Sequence, residues 1–261
     1  MALGIISFRN NVLEQTEPLS VILPEPDVGP GPFPVLYLLH GMGDDHTTWT
    51  RMTRIESYVK PMPLIVVMPM TQWRSMYVDS LNGPKSASSI AQGLVDFIDS
   101  RLNTRPERAY RAVCGLSMGG YGALHLALSF PERFGAAVSH SGVLLFGHVN
   151  VDHYPPDDRG ARMRAITERT VGPYPKGGPA DLFAAAERVP ADLRPALRID
   201  CGTEDFLLEH NRAFHKHLAQ IGYDHEYVEH PGSHTWDYWD EHIKDSIDFF
   251  VRKLGWLAAV S

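Results

Sequence analysis

The sequence Gly115-Leu116-Ser117-Met118-Gly119, with Gly120 after it, joins an apolar strand pattern to an Ala/Leu-rich helical one. G-x-S-x-G in that setting describes a nucleophile elbow, a tight turn that lifts a serine hydroxyl clear of the backbone. Sterics dictate its composition: the residues around the turn must lack bulk, and Gly115 and Gly119 do. The N–H groups that open the helix have no intrahelical acceptor and sit at the positive end of its dipole, so they suit an oxyanion. The competing reading is a glycine-rich turn with an incidental serine, which would require no partners elsewhere in the chain. A nucleophilic serine does require one, because its hydroxyl is weak at neutral pH until a base takes its proton.

With 13 histidines in the chain, chain order has to choose among them. Elbow enzymes place serine, acid and histidine in that order. After the last strand pattern come His230, His234 and His242. His230 ends the strand and His242 lies within the next helix, whereas His234 occupies the turn Pro231-Gly232-Ser233-His234-Thr235 and is the expected base. The acid is expected from Asp200-Cys201-Gly202-Thr203-Glu204-Asp205. Asp200 belongs to a strand; Asp205 lies beyond the Gly202 turn, where a loop can reach an imidazole, and Glu204 is its rival. Such a carboxylate fixes the tautomer and stabilises the imidazolium that forms. The loop His40-Gly41-Met42-Gly43 is the expected source of a second oxyanion donor, Met42 N–H first and Gly41 N–H second, opposite Met118 N–H. His40 precedes the serine and reads as a hydrogen-bonded loop residue. Trp49 and Trp236 are candidate pocket walls, beside Met42 and Met118.

The runs LYLLHGMGDD, GLSMGGYGALHLAL, CGTED and PGSHTWDYW resemble the esterase D group of α/β hydrolases. That group includes tributyrin-type carboxylesterases, S-formylglutathione hydrolases, acetylxylan and feruloyl esterases and mycolyltransferases. The resemblance spans residues 8–254. It implies an α/β-hydrolase fold without a cofactor or metal. It carries nucleophile, acid and base onto Ser117, Asp205 and His234, and the oxyanion donors onto the backbones of Met42 and Met118. Two departures stand out. Related esterases commonly carry an aromatic near Met76, and formylglutathione hydrolases carry a cysteine near the oxyanion loop that is missing here.

The elements that must position these residues follow from hydrophobic patterning. Continuous apolar runs at 35–39, 64–68, 110–114, 134–138 and 196–199 suit strands buried on both faces. Segments 4–8 and 19–23 read as early strands, and 225–229 alternates, as an edge strand does. Helices are expected at 89–102, 118–128, 207–221 and 236–254. Alternating strands and helices predict one α/β domain over 1–261 with a mainly parallel sheet. Residues 144–190 are rich in proline and glycine and break the alternation; they read as a cap-like insertion over the sheet, with short helices near 162–169 and 181–188. Arg162, Arg164 and Arg169 within it read as a solvated face.

Composition excludes other classes. A net charge of −7 gives no footprint for nucleic acid or an anionic membrane. No apolar run approaches the length of a membrane span and no signal peptide is evident, so a cytoplasmic protein is expected. Cys114 and Cys201 are too few for a disulfide scaffold and are expected to stay reduced. His210, His215 and His217 do not share one helical face, so no metal site is expected there. The resulting expectation is a serine carboxylesterase for acetyl to butyryl esters, acting through an acyl-enzyme on a small-molecule ester. The alternatives are a thioesterase such as an S-formylglutathione hydrolase and a catalytically silent binding scaffold. Association into a homo-oligomer is left open.

Overall fold

The apolar runs assemble into one eight-stranded sheet, whose order is β1-β2-β4-β3-β5-β6-β7-β8. The computed structural model describes residues 1–256. The strands are β1 (Ala2–Asn10), β2 (Gln15–Leu23), β3 (Val35–Leu39), β4 (Ile65–Pro69), β5 (Arg111–Leu116), β6 (Ala136–His140), β7 (Ala196–Gly202) and β8 (His225–His230). From β4 to β8 every neighbouring pair is parallel; β1 and β2 form an antiparallel hairpin, and β2 is antiparallel to β4. Strands β3 to β6 are buried along their whole length, as continuous apolar runs require. Strand β8 pairs only with β7 and is half-buried throughout, which matches its alternating sequence. The first two strands are longer than their apolar cores suggested, because the tight hairpin extends their ladder to Asn10↔Gln15.

Helices cover both faces. On one lie α4 (Val95–Arg101), α5 (Met118–Ser129), α7 (Leu182–Arg188) and α8 (Leu208–Gln220), contributing Ile98, Leu124, Phe183 and Phe214 to a common core. On the other lie two five-residue helices, α1 (Thr48–Met52) and α2 (Ile55–Val59), and the long α9 (Trp236–Leu254). The short pair was not foreseen, since five residues carry too little periodicity to read. The helix expected at 89–102 begins as a single turn α3 (Ser86–Ser88), passes through a π-helical stretch Ser89–Leu94 and becomes regular only in α4. At the start of this stretch Asn10 Nδ2 donates to the Ser89 carbonyl at 3.1 Å.

Between β6 and β7, helix α6 (Asp158–Thr170) precedes α7. Asp157 accepts from Gly160 N–H at 2.7 Å and Asp181 from Phe183 N–H at 3.0 Å, so each helix starts at an aspartate cap. The cap on Asp157 starts α6 earlier than its apolar pattern indicated. Cys114 and Cys201 are free and buried, with β6 between their strands. Among the described residues no helix is long and apolar enough to cross a membrane.

Candidate active site

The register Leu39↔Gly115 and Leu116↔His140 sets β3, β5 and β6 so that their C-terminal ends meet around residue 117. Ser117 adopts φ 54°, ψ −114°, a conformation that costs about 1–3 kcal/mol outside glycine. Three backbone bonds hold it there. Ser117 N–H donates to the His140 carbonyl at 2.9 Å, and the Ser117 carbonyl accepts from Tyr121 N–H at 3.1 Å and Val143 N–H at 3.3 Å. The glycines are required by backbone approach. A Cβ on Gly119 would stand 2.6 Å from the Leu39 carbonyl oxygen and 2.7 Å from that of His40, and one on Gly115 would strike the Gly119 carbonyl.

This turn aims the Ser117 hydroxyl at the loop between β8 and α9. His234 Nε2 lies 3.0 Å from Ser117 Oγ, and His234 Nδ1 lies 2.8 Å from Asp205 Oδ2. With a carboxylate accepting at Nδ1, that nitrogen carries the proton and Nε2 is left to accept from the serine. Asp205 is buried, and burial alone would raise its pKa. The hydrogen bonds from His234 and from Leu207 N–H, together with the imidazole's charge when protonated, instead hold it below the ordinary aspartate value. The imidazole stands edge-on to Trp239 at 4.9 Å and against Phe206 at 4.6 Å.

Glu204 does not reach His234. It is exposed, accepts from Thr203 Oγ1–H at 2.6 Å and from Gly232 N–H, and so holds the loop on which His234 rides. His230 and His242 stack on each other at 3.9 Å, beside Asp245 and away from the serine. Asp200 makes a different buried pair: His140 Nδ1 lies 2.8 Å from its Oδ1, and Tyr238 O–H donates to the same oxygen at 3.1 Å. Burial disfavours charge on His140, but the Asp200 carboxylate outweighs it and raises the imidazole's pKa; the pairing likewise lowers that of Asp200 against its own burial. The pair stiffens the residue whose carbonyl holds Ser117.

On the opposite side, a Cβ on Gly41 would lie 3.8 Å from Ser117 Cβ, so this loop abuts the serine. Burial lowers the pKa of His40 and keeps it neutral. Its Nε2 accepts from Thr71 N–H at 3.3 Å, so Nδ1–H is the donor to the Gly41 carbonyl, at 2.8 Å. A trans peptide points its C=O and N–H in opposite directions. Tying the Gly41 carbonyl to His40 therefore turns Met42 N–H the other way, and among the described residues that N–H has no backbone acceptor. Met118 N–H opens α5 and has no acceptor within the helix. The departure expected near Met76 does not hold, because Tyr77 is an aromatic directly beside it: its hydroxyl donates to the His40 carbonyl at 3.0 Å and braces the same loop.

A cavity of about 610 Å³ opens beside Ser117, walled by Met42, Met118, Leu145, Phe146, Tyr154 and Met163. Segment 144–190 thus contributes much of its lining. Trp49 and Trp236, the expected walls, do not line it. Trp49 is buried with its indole N–H on the Leu39 carbonyl at 3.0 Å, and Trp236 packs edge-on against it on the face of the sheet covered by α9. Sequence reasoning missed Phe206, though its position directly after Asp205 was a usable signal. Arg162, expected on a solvated face, is exposed, and it also borders the cavity. The α8 histidines disperse: His215 meets His225 at 2.8 Å, His217 meets the Phe183 carbonyl at 3.1 Å, and His210 faces the cavity.

Residues 10–250 match the model of a family described as "Putative esterase". An acetyl esterase of Caldicellulosiruptor saccharolyticus is 26% identical over 266 residues, covering 97% of this chain and 99% of that protein. An esterase of Mycobacterium tuberculosis is 30% identical over 252 residues, 87% of this chain but 54% of the relative, so the chain spans about half that protein's length. Among solved structures, a substrate-bound fluorophosphonate-binding serine hydrolase of Staphylococcus aureus superposes with a TM-score of 0.82 at 28% identity, covering 96% of this chain and 98% of that one.

Gly119→Ala tests the packing of the elbow. The added methyl meets two backbone carbonyls that cannot rotate away, so a loss of about 3 kcal/mol is expected, measured by urea denaturation. A loss below about 1 kcal/mol would mean that the strand and helix are less closely apposed.

Proposed function

The chain belongs to the Esterase family and has the α/β-hydrolase fold, and from this we propose that it is a serine carboxylesterase acting on acetyl to butyryl esters. The observation that carries the reading is the hydrogen-bonded chain Ser117–His234–Asp205 beside two unengaged backbone donors. Ser117 Oγ attacks the ester carbonyl as His234 Nε2 takes its proton. Met42 and Met118 N–H receive the oxyanion, each contributing about 3 kcal/mol to the transition state. The tetrahedral intermediate collapses, and His234 returns the proton to the departing alcohol. Water, deprotonated by the same imidazole, then attacks the acyl-enzyme and releases the carboxylic acid. These steps need only the chain's own residues and water.

The short-acyl reading draws support from the acetyl esterase among the relatives. The cavity is larger than such a group needs, so its apolar remainder, under segment 144–190, receives the alcohol half of the ester. In this reading the segment acts as a cap within a single hydrolase domain.

Two measurements test this. Asp205→Asn is expected to lower kcat on p-nitrophenyl acetate by about 10⁴, and Glu204→Gln, which only loosens a loop, by less than about tenfold; reversed effects would reassign the acid, and no turnover by the wild type would favour a binding scaffold. Across p-nitrophenyl esters from acetyl to octanoyl, kcat/KM is expected to peak by butyryl. A stepwise rise to octanoyl, with each methylene contributing up to about 0.8 kcal/mol, would place the acyl chain along the cavity wall instead.

A further inference from the structure

Helix α6 carries four arginines along the roof of the site, and they are not equivalent. Arg164 donates to the Tyr154 carbonyl at 3.5 Å and Arg169 to the Arg74 carbonyl at 2.9 Å. Arg159 and Arg162 both line the cavity beside Ser117, three residues apart and so on one face of the helix. Neither guanidinium has a carboxylate within 4.0 Å or a hydrogen-bond acceptor among the described residues. Arg159 is nevertheless positioned: its guanidinium lies over the Phe206 ring at 4.0 Å, and that ring lies 4.6 Å from the His234 ring. Among the described residues the sole carboxylate lining the cavity, Glu209, is paired with Arg212 at 2.8 Å. The rim is further positive because Arg74, Arg162 and Arg169 lie near one another; Arg74 has its pKa lowered by desolvation and then by those two neighbours. Among the described residues none of Arg74, Arg159, Arg162 and Arg169 has a carboxylate within 4.0 Å, on a chain of net charge −7.

We propose that Arg159 and Arg162 select esters bearing a carboxylate, gripping that anion while Ser117 attacks the ester carbonyl. This rests on the esterase reading and names its substrate class. The guanidinium fork suits a carboxylate because it offers parallel donors at matching spacing. Phe206 keeps one fork beside the catalytic imidazole, and the apolar walls hold the uncharged part of the substrate. The anion can be carried on the acyl half or on the alcohol half, and two substrate pairs separate these sources.

The experiment compares kcat/KM for mono-p-nitrophenyl glutarate with p-nitrophenyl butyrate, and for 4-acetoxybenzoate with its methyl ester. Each anionic-to-neutral ratio is measured for the wild type, Arg159→Gln, Arg162→Gln and the double variant, and intrinsic reactivity cancels when ratios are compared between variants. In the pair that places its charge correctly, the ratio is expected to fall about fivefold with each glutamine. It should also shrink as salt rises to about 0.3 M, where charges beyond several ångström are screened. Arg159→Lys should retain only part of it, because an ammonium keeps the charge but loses the parallel donors, and Arg162→Glu should lower it beyond Arg162→Gln. Ratios in both pairs staying within twofold of wild type in the double variant would overturn the proposal. Failure of the wild type to hydrolyse any of the four esters would instead refute the esterase reading, independently of the arginines.

Discussion

Backbone crowds backbone where α5 leaves β5, and the remainder of the site depends on that approach. Gly119 sits against the carbonyls of Leu39 and His40 with no space for a methyl group. This closeness brings the start of α5 beside the end of β3, so Met118 N–H and the loop carrying Met42 flank the same point. It also forces Ser117 into a positive φ, which holds its hydroxyl above the sheet. A looser turn would relax the serine and separate the two donors together.

Turns of this kind need support, and the structure supplies it through polar groups with defined roles. Beneath the serine, the buried His140–Asp200 pair stiffens the strand end whose carbonyl receives Ser117 N–H. A buried ion pair gives little net stability, but removing one partner leaves an unpaired charge that is costly. That makes it a stiff foundation. On the second side, neutral His40 and Tyr77 orient the Gly41–Met42 peptide. On the third, Glu204 ties the turn at Gly232, two residues before His234. Three loops from separate parts of the chain are thereby fixed around one hydroxyl.

Much of this was legible because it follows from local rules. Strands buried on both faces appear as continuous apolar runs, and the order serine, acid, histidine selected Asp205 and His234 from many candidates. Glu204 and Asp205 are adjacent, yet the Gly202 turn separates their duties, one to the loop and one to the imidazole. What could not be read depended on which side of the sheet an element packs. Trp49 and Trp236 have the residue type of pocket walls, but the helices carrying them lie on the face covered by α9. The π-helical stretch at Ser89–Leu94 begins where Asn10, distant in sequence, donates to the Ser89 carbonyl. Arg162 is an exposed helical arginine, as expected, and only the packing of α6 shows that it also borders the cavity.

In the proposed reaction Ser117 alone is the nucleophile, and the loops around it serve to activate it. The most direct measurement is stoichiometric labelling with a fluorophosphonate, followed by peptide mapping by mass spectrometry and an assay of residual ester hydrolysis. One adduct per chain is expected, on the peptide containing Ser117, with activity falling in proportion to labelling. An adduct on a different residue, or activity surviving complete labelling of Ser117, would contradict it.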